Sequence, residues 1–319
     1  MKRISIVIPF YNSSKILDRC LESCLNQSIH PVNTICVNDG SKDDTKEKLS
    51  EYRKRYTSIK LINKNNGGIC SARNMGLNYV DTEYVAFLDH DDVLHRNKLK
   101  HQLRLLDDAD PAFGFVASSY VDVFGGKKGQ KKVRRVYTRD KWVALIHARL
   151  GRTSSNLWRT DDVRAAGGWC ASEGLSLDTG LMFRLMKRGV HPLMDDVVHT
   201  TRYVTASSAS QKDRITQWST FFDMRIAILH YLQSANLLTP EREEALCVDL
   251  ISALRGLFAN DSGIASRKSK MLPLSRSVIS KYEVGPGRLY RYLYRYLGLV
   301  GAERVYAAWL AMRNPTGRE

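Results

Sequence analysis

The chain has 319 residues, 43% of them apolar and 26% charged, which allows a large buried core and excludes a disordered or fibrous polypeptide. Its formal charge of +16 suggests nucleic acid, but the charge is local: residues 127–141 hold eight basic side chains against Asp140 alone, and residues 264–319 hold eleven against Glu283, Glu303 and Glu319. The rest is nearly neutral and carries no nucleic-acid motif, so that class is disfavoured.

The first 120 residues alternate β-branched runs with amphipathic helical patterns, predicting an α/β fold with a mainly parallel sheet flanked by helices. Strands are expected over 4–9, 34–38, 59–63, 84–88 and 113–118. Ser13 or Ser14 is expected to cap the first helix, ahead of Leu17, Leu21 and Leu25. Ser41, followed by Asp43 and Asp44, should cap the second, and Asp91 or Asp92 a third over 97–106. A Gly- and Lys-rich loop covers 126–141, then come a helix over 141–150, a strand over 155–159 and a short helix over 160–166. Gly167-Gly168-Trp169 leads into a helix bearing Asp178, Leu181, Leu185 and Met186. After about residue 212 only helical patterns remain, which sets a boundary between 1–211 and a helical C-terminal region, 212–319.

In that region Arg288, Arg291 and Arg295 recur at i, i+3 and i+7, with Leu289, Leu293, Tyr296 and Val300 as the apolar stripe opposite. Such a basic amphipathic tail suits an anionic membrane surface, or its stripe packs on the body. No apolar run reaches the ~18 residues of a membrane span, and no signal peptide is expected. The six cysteines form no CxxC pair, as in reduced, packed thiols of a cytoplasmic protein.

Open parallel sheets bind ligands beyond the carboxyl ends of their strands. Those ends read Pro9-Phe10-Tyr11-Asn12, Asn38-Asp39-Gly40-Ser41, Asn65-Asn66-Gly67-Gly68 and Asp89-His90-Asp91-Asp92. Each alone is ordinary turn chemistry, but four at one rim point to a site. Asp89 and Asp91 are two apart, so on continuing strand geometry their carboxylates point the same way. Adjacent carboxylates repel unless a cation joins them, and a hard ion such as Mn²⁺ or Mg²⁺ suits oxygen ligands shared with phosphates.

These residues resemble family 2 glycosyltransferases of the GT-A fold. The similarity runs through Ser5 to Asn12, Val37 to Ser41, Gly67 to Gly76 and Phe87 to Asp92, with a second match from Gly167 to Gly189. It implies a nucleotide-sugar-binding half over 1–120 and an acceptor half over 121–211. It further implies inverting transfer of a hexosyl or N-acetylhexosaminyl group from a uridine-linked donor to a glycan or lipid-linked acceptor. That places the enzyme in cell-surface polysaccharide synthesis, peripheral on the inner face of the membrane.

By the same resemblance Pro9 and Tyr11 flank the nucleobase, Asp39 hydrogen-bonds it and Arg73 contacts base or phosphate. Asp89 holds ribose or sugar, and Asp91 with Asp89 holds the metal. The family's base comes from a Glu-Asp pair on the helix after the Gly-Gly-aromatic segment. Here that place reads Leu177-Asp178-Thr179, making Asp178 the expected base and Glu173 the reserve. The missing glutamate leaves open a protein that binds sugar nucleotides without transfer. A histidine common near 205 is replaced by Thr205, with His199 upstream. His90, Trp169 and His199 are expected as acceptor-side or supporting residues.

Overall fold

The computed structural model describes residues 3–30, 32–125, 129–204 and 213–313. Lys127 and Lys128 of the basic loop, and Thr205 with the residues after it to 212, lie outside the described residues. The chain forms two compact units, Met1–Ser172 with Leu177–Ala206, and Glu173–Ser176 with Ser207–Glu319.

The first unit opens with β1 (Ile4–Phe10), α1 (Leu17–Leu25), β2 (Val32–Asp39), α2 (Thr45–Arg55), β3 (Ile59–Lys64), α3 (Gly68–Asn78) and β4 (Tyr84–Phe87). It continues through β5 (Val93–Leu94), α4 (Lys98–Asp107), β6 (Phe113–Ser118), β7 (Tyr120–Phe124), β8 (Lys131–Arg134), α5 (Lys141–Ile146), β9 (Leu157–Arg159) and α6 (Thr160–Ala165). After α7 (Leu177–Lys187) it closes with β10 (His191–Asp195) and β11 (Thr200–Val204). A seven-stranded sheet runs in the order β10-β6-β9-β4-β1-β2-β3, with β9 alone antiparallel to its neighbours. A four-stranded sheet runs β5-β11-β7-β8.

β1 sits inside the large sheet and every one of its residues is buried, which explains its unbroken apolar run. Ile4, Ile6, Ile8 and Phe10 share a core with Leu17, Cys20, Leu21 and Cys24, the i, i+3, i+4, i+7 stripe of α1. On the opposite face α3 lies close because Gly76 has no side chain; a Cβ there would stand 2.3 Å from Val7 Cγ1. All six cysteines are free thiols.

The expected helix caps are corrected by the structure. α1 begins after Ile16 and α2 after Asp44, neither with a side-chain cap. Ser14 and Ser41 instead bond across to the neighbouring loop, because two strand ends lie side by side there and offer better-placed partners. Asp92 is no cap either: β5 intervenes, and α4 starts after Asn97. The basic loop is also partly strand, since Lys131–Arg134 pairs with β7.

The second unit is helical: α8 (Arg214–Ser234), α9 (Pro240–Asn260), α10 (Ser262–Ser269), α11 (Arg276–Ile279) and α12 (Arg288–Arg313). Asp213 and Thr239 cap α8 and α9 through their side chains. Buried Arg225 of α8 pairs with Asp249 of α9 at 3.2 Å. In α12 Tyr290, Tyr294, Leu299, Ala302 and Glu303 are among the buried residues, whereas Leu289 and Tyr296 of the expected stripe are exposed. Gly298 has φ +69° and breaks α12 in two, so no single helical phase runs from Leu289 to Val300. No helix of the described residues is long and apolar enough to cross a membrane.

Gly76→Ala should destabilise the first unit by about 1–3 kcal/mol through overpacking against Val7. Urea unfolding followed by circular dichroism measures this; an unchanged midpoint would show that α3 shifts at no cost.

Candidate functional site

The loops after β1 and β2 are laced together. Asn12 adopts φ +48°, a left-handed conformation that asparagine tolerates better than most residues. Its N–H donates to Ser41 Oγ at 3.1 Å and its Oδ1 accepts the Lys42 N–H at 2.8 Å. Burial works against the Asp43 carboxylate, but hydrogen bonds from Thr45 and Ser14 outweigh it and lower the pKa to about 2. Pro9 is buried within β1, and this lacing leaves the Tyr11 ring 43% exposed at the strand end.

Asp39 is buried at the end of β2 and accepts three hydrogen bonds. Its Oδ1 accepts Lys64 Nζ at 2.6 Å and the Gly67 N–H at 3.0 Å, and its Oδ2 accepts the Gly68 N–H at 2.9 Å. Asp39 thereby fixes the start of α3, the helix that carries Arg73. A base would meet it through the acceptor capacity that remains.

Buried Arg73 donates to Asp89 Oδ1 at 2.6 Å and lies 4.2 Å above the Trp169 ring. Trp169 in turn packs edge-on against Phe87 of β4, 5.1 Å between centroids. The Gly167-Gly168-Trp169 segment is docked by Asn74, which accepts the Trp169 N–H and donates to its carbonyl, both at 2.8 Å. Gly168 has φ +64°, and a Cβ there would meet Asn74 Oδ1 at 2.5 Å, so the segment requires glycine. Trp169 thus supports the arginine that holds Asp89.

Within the acidic cluster, burial disfavours the charge on Asp89, and Arg73 overcomes this to lower its pKa. Burial and then the Asp89 charge push Asp91 up. Asp92 is 2% exposed, its Oδ1 meets no partner among the described residues, and burial with both neighbours raises it well above the usual carboxylate range. His90 is half-buried, its ring 6.4 Å from that of Phe10.

Asp178, in the first turn of α7, accepts the Thr153 N–H at 3.1 Å and the Thr153 hydroxyl on the same oxygen. Arg152 Nη1 stands 3.7 Å from its other oxygen. The next residue, Ser154, accepts the Asp89 N–H on its hydroxyl at 3.1 Å. Consecutive residues therefore hold the carboxylate of the expected base and the backbone of Asp89. The run Thr153-Ser154-Ser155-Asn156 is buried throughout, though its composition reads as an ordinary turn or strand start. Burial was its one distinguishing property, and no periodicity announces it.

Asp178 belongs to the first unit and Glu173 to the second, where neighbouring Gly174 faces Thr220. The His199 ring lies tilted at 49° to that of His101, 4.8 Å between centroids, and His101 meets Asp195 at 3.2 Å. Its place is thus a histidine group beside β11.

Among the described residues no three His, Cys, Asp or Glu side chains converge as a metal cage. The donor set nevertheless fits a hard divalent ion completed by phosphate oxygens: an ionised Asp89, an Asp91 held up by burial and the Asp89 charge, and a buried oxygen of Asp92 with no partner among the described residues.

The family model described as glycosyl transferase family 2 matches residues 5–165. Among curated proteins, the uncharacterized glycosyltransferase EpsJ of Bacillus subtilis is 33% identical over 135 residues, 42% of this chain and 36% of EpsJ. The minor teichoic acid biosynthesis protein GgaB of Bacillus subtilis is 35% identical over 116 residues, 35% of this chain and 13% of GgaB. The matched stretch spans between 13% and 39% of the length of the curated relatives. The structure is similar to S. aureus TarS 1–349 in complex with UDP, with a TM-score of 0.65 and 15% identity over 99% of this chain and 93% of that one. It is also similar to mannosyltransferase PcManGT from Pyrobaculum calidifontis in complex with GDP-Man and Mn²⁺, with a TM-score of 0.58 and 16% identity over 99% and 88%. At such identities the likeness establishes the fold, the GT-A arrangement of a mainly parallel sheet with helices.

Because Asp92 titrates higher when folded than its unfolded value of about 3.9, its stabilising effect is complete below that pH and is lost as pH rises through the folded value. Asp92→Asn should therefore stabilise the cation-free protein at pH 8 and have little effect at pH 4, read by denaturant titration at both. A gain of equal size at both pH values would contradict the assignment.

Proposed function

Because the chain belongs to glycosyl transferase family 2, we propose that it moves a hexosyl or N-acetylhexosaminyl group from a uridine diphosphate donor to a hydroxyl of a glycan or lipid-linked acceptor. The pathway would be cell-surface polysaccharide synthesis. The observation that carries this reading is the coupling of Asp89 and Asp178 through Ser154 and Thr153, which sets a donor carboxylate and a base on one rigid support. TarS binds UDP and, in a second structure, UDP-GlcNAc, while PcManGT binds GDP-Man with Mn²⁺. These support a nucleotide-sugar donor, and the similarity to GgaB supports the pathway.

In this mechanism Tyr11 offers its exposed face to the base, beside Pro9 and Asp39. Arg73 keeps Asp89 ionised for ribose or sugar. Asp89 and Asp91 would hold Mn²⁺ or Mg²⁺, which when bound stabilises the charge on the departing diphosphate. Asp178 takes the proton from the acceptor hydroxyl as that oxygen attacks the anomeric carbon opposite the leaving group, inverting the configuration. Thr153 orients the carboxylate for this transfer.

The engagement of Asp178 favours a second reading, a protein that binds sugar nucleotides without transfer, since Thr153 occupies one carboxylate oxygen and Arg152 stands beside the other. Release of nucleoside diphosphate from a panel of nucleotide sugars with Mn²⁺ separates the two. Asp178→Asn should reduce transfer by roughly a hundredfold to ten-thousandfold with UDP affinity kept, and Asp91→Asn should abolish the response to Mn²⁺. Turnover that survives both substitutions would sink the enzyme reading.

A peripheral position at the membrane fits the outer side of α12, where Tyr292, Tyr296 and Leu297 are exposed beside Arg295. Replacing the three apolar residues with serine should lower co-sedimentation with anionic liposomes. Undiminished binding would remove α12 from that role.

A further inference from the structure

A cavity of about 440 Å³ opens within the first unit, lined by Tyr120, Arg134, Arg135, His147, Arg149, Arg152 and Arg202 among others. Its construction begins on β7. Tyr120 and Asp122 are two apart and share a face; Arg202 of β11 is the register partner of Asp122, and Arg134 of β8 that of Tyr120. Asp122 is completely buried and accepts Arg202 Nε on Oδ1 and Arg134 Nε on Oδ2, each at 2.7 Å. One carboxylate therefore clamps two guanidinium groups by their Nε atoms. Among the described residues, the terminal nitrogens of both meet no acceptor.

Arg135 directly follows β8, and the remaining cations come from the turn after α5. Ala148 takes φ +50° and Gly151 φ +71°, folding that turn tightly enough for His147, Arg149 and Arg152 to face one cavity. A Cβ on Gly151 would lie 2.1 Å from Asn156 Oδ1, so only glycine fits there. Arg152 is oriented by the Tyr120 hydroxyl, which accepts its Nε at 3.2 Å. Arg149 has no carboxylate partner among the described residues, and Arg135 reaches only Asp196, at 4.0 Å. The lining thus holds five arginines and no carboxylate, a surplus that asks for a multiply charged oxyanion.

We propose that this cavity binds a phosphate group carried by the acceptor, so that the acceptor substrate is a phosphorylated or phosphodiester-linked polyol or glycan. The proposal rests on the reading of Asp178 as acceptor-side base, since Arg152 touches both Asp178 and the cavity. A guanidinium bridging the two sets the phosphate close to the hydroxyl that reacts. The same chemistry has a second source in the donor diphosphate, because the field of Arg202 also reaches Asp89 and Asp91. Competition with UDP distinguishes the two.

The test uses the full chain and the double variant Arg135→Gln/Arg149→Gln, which removes two exposed charges while leaving Asp122 and Asp178 their partners. Calorimetric titration with inorganic phosphate and with a glycerol phosphate oligomer should show binding, a neutral oligosaccharide none. The oligomer should bind the variant about a hundredfold more weakly, about tenfold or 1.4 kcal/mol per guanidinium. Saturating UDP with Mn²⁺ should leave oligomer binding intact. An unchanged affinity in the variant, displacement by UDP with Mn²⁺, or equal binding of a single-stranded oligonucleotide would each overturn the proposal. Because binding is read without turnover, a protein that binds the oligomer as described but releases no UDP would refute the transferase reading alone.

Discussion

The site depends on a polar segment placed where a protein ordinarily puts apolar side chains. Residues Thr153 to Asn156 are buried, and burial forces every amide and hydroxyl there to find a partner. Asn156 accepts the Ser118 N–H and donates to the Leu150 carbonyl; Gln102 donates to the Ser155 carbonyl; Lys98 donates to that of Asn156. Lys98 is itself fully buried, which brings its pKa down to about 7. Such a network is stiff because any displacement leaves a buried group unpaired. That stiffness reaches the site through Thr153 and Ser154.

Charge in the site is arranged on the same logic. Each exposed function is held by a buried one: Asp89 by Arg73, Arg73 by the Trp169 ring, and Trp169 by Asn74 and Phe87. On the other side Asp122, wholly buried, aims Arg134 and Arg202. In both cases a guanidinium stacked or clamped at one end keeps nitrogens available at the other, an economy of Arg geometry that lysine lacks. Asp91 and Asp92 are the exceptions, pressed toward neutrality because burial and the neighbouring carboxylates outweigh the field of Arg202. That imbalance makes the cluster receptive to a divalent ion.

The residues alone announce the five principal strands of the first 120 positions and the polar rim at their carboxyl ends, though not β5, because burial on both faces demands β-branched runs and ligand-binding turns demand Gly, Asn and Asp. They also put Asp178 at the start of a helix. The local patterns misplaced the caps, since Ser14 and Ser41 had partners on a neighbouring loop that no local rule contains. They misphased α12 for a similar reason: Tyr290 and Tyr294, rather than Leu289 and Tyr296, are buried, with the Tyr290 hydroxyl donating to Glu303, a partner 13 residues away. What residue type left open was that His199 joins His101 and Asp195 beside β11, and that Arg134, Arg152 and Arg202, spread over 69 positions of the chain, share one cavity. Strand register and the burial of Asp122 bring them together, and both are long-range properties that residue type and spacing do not encode.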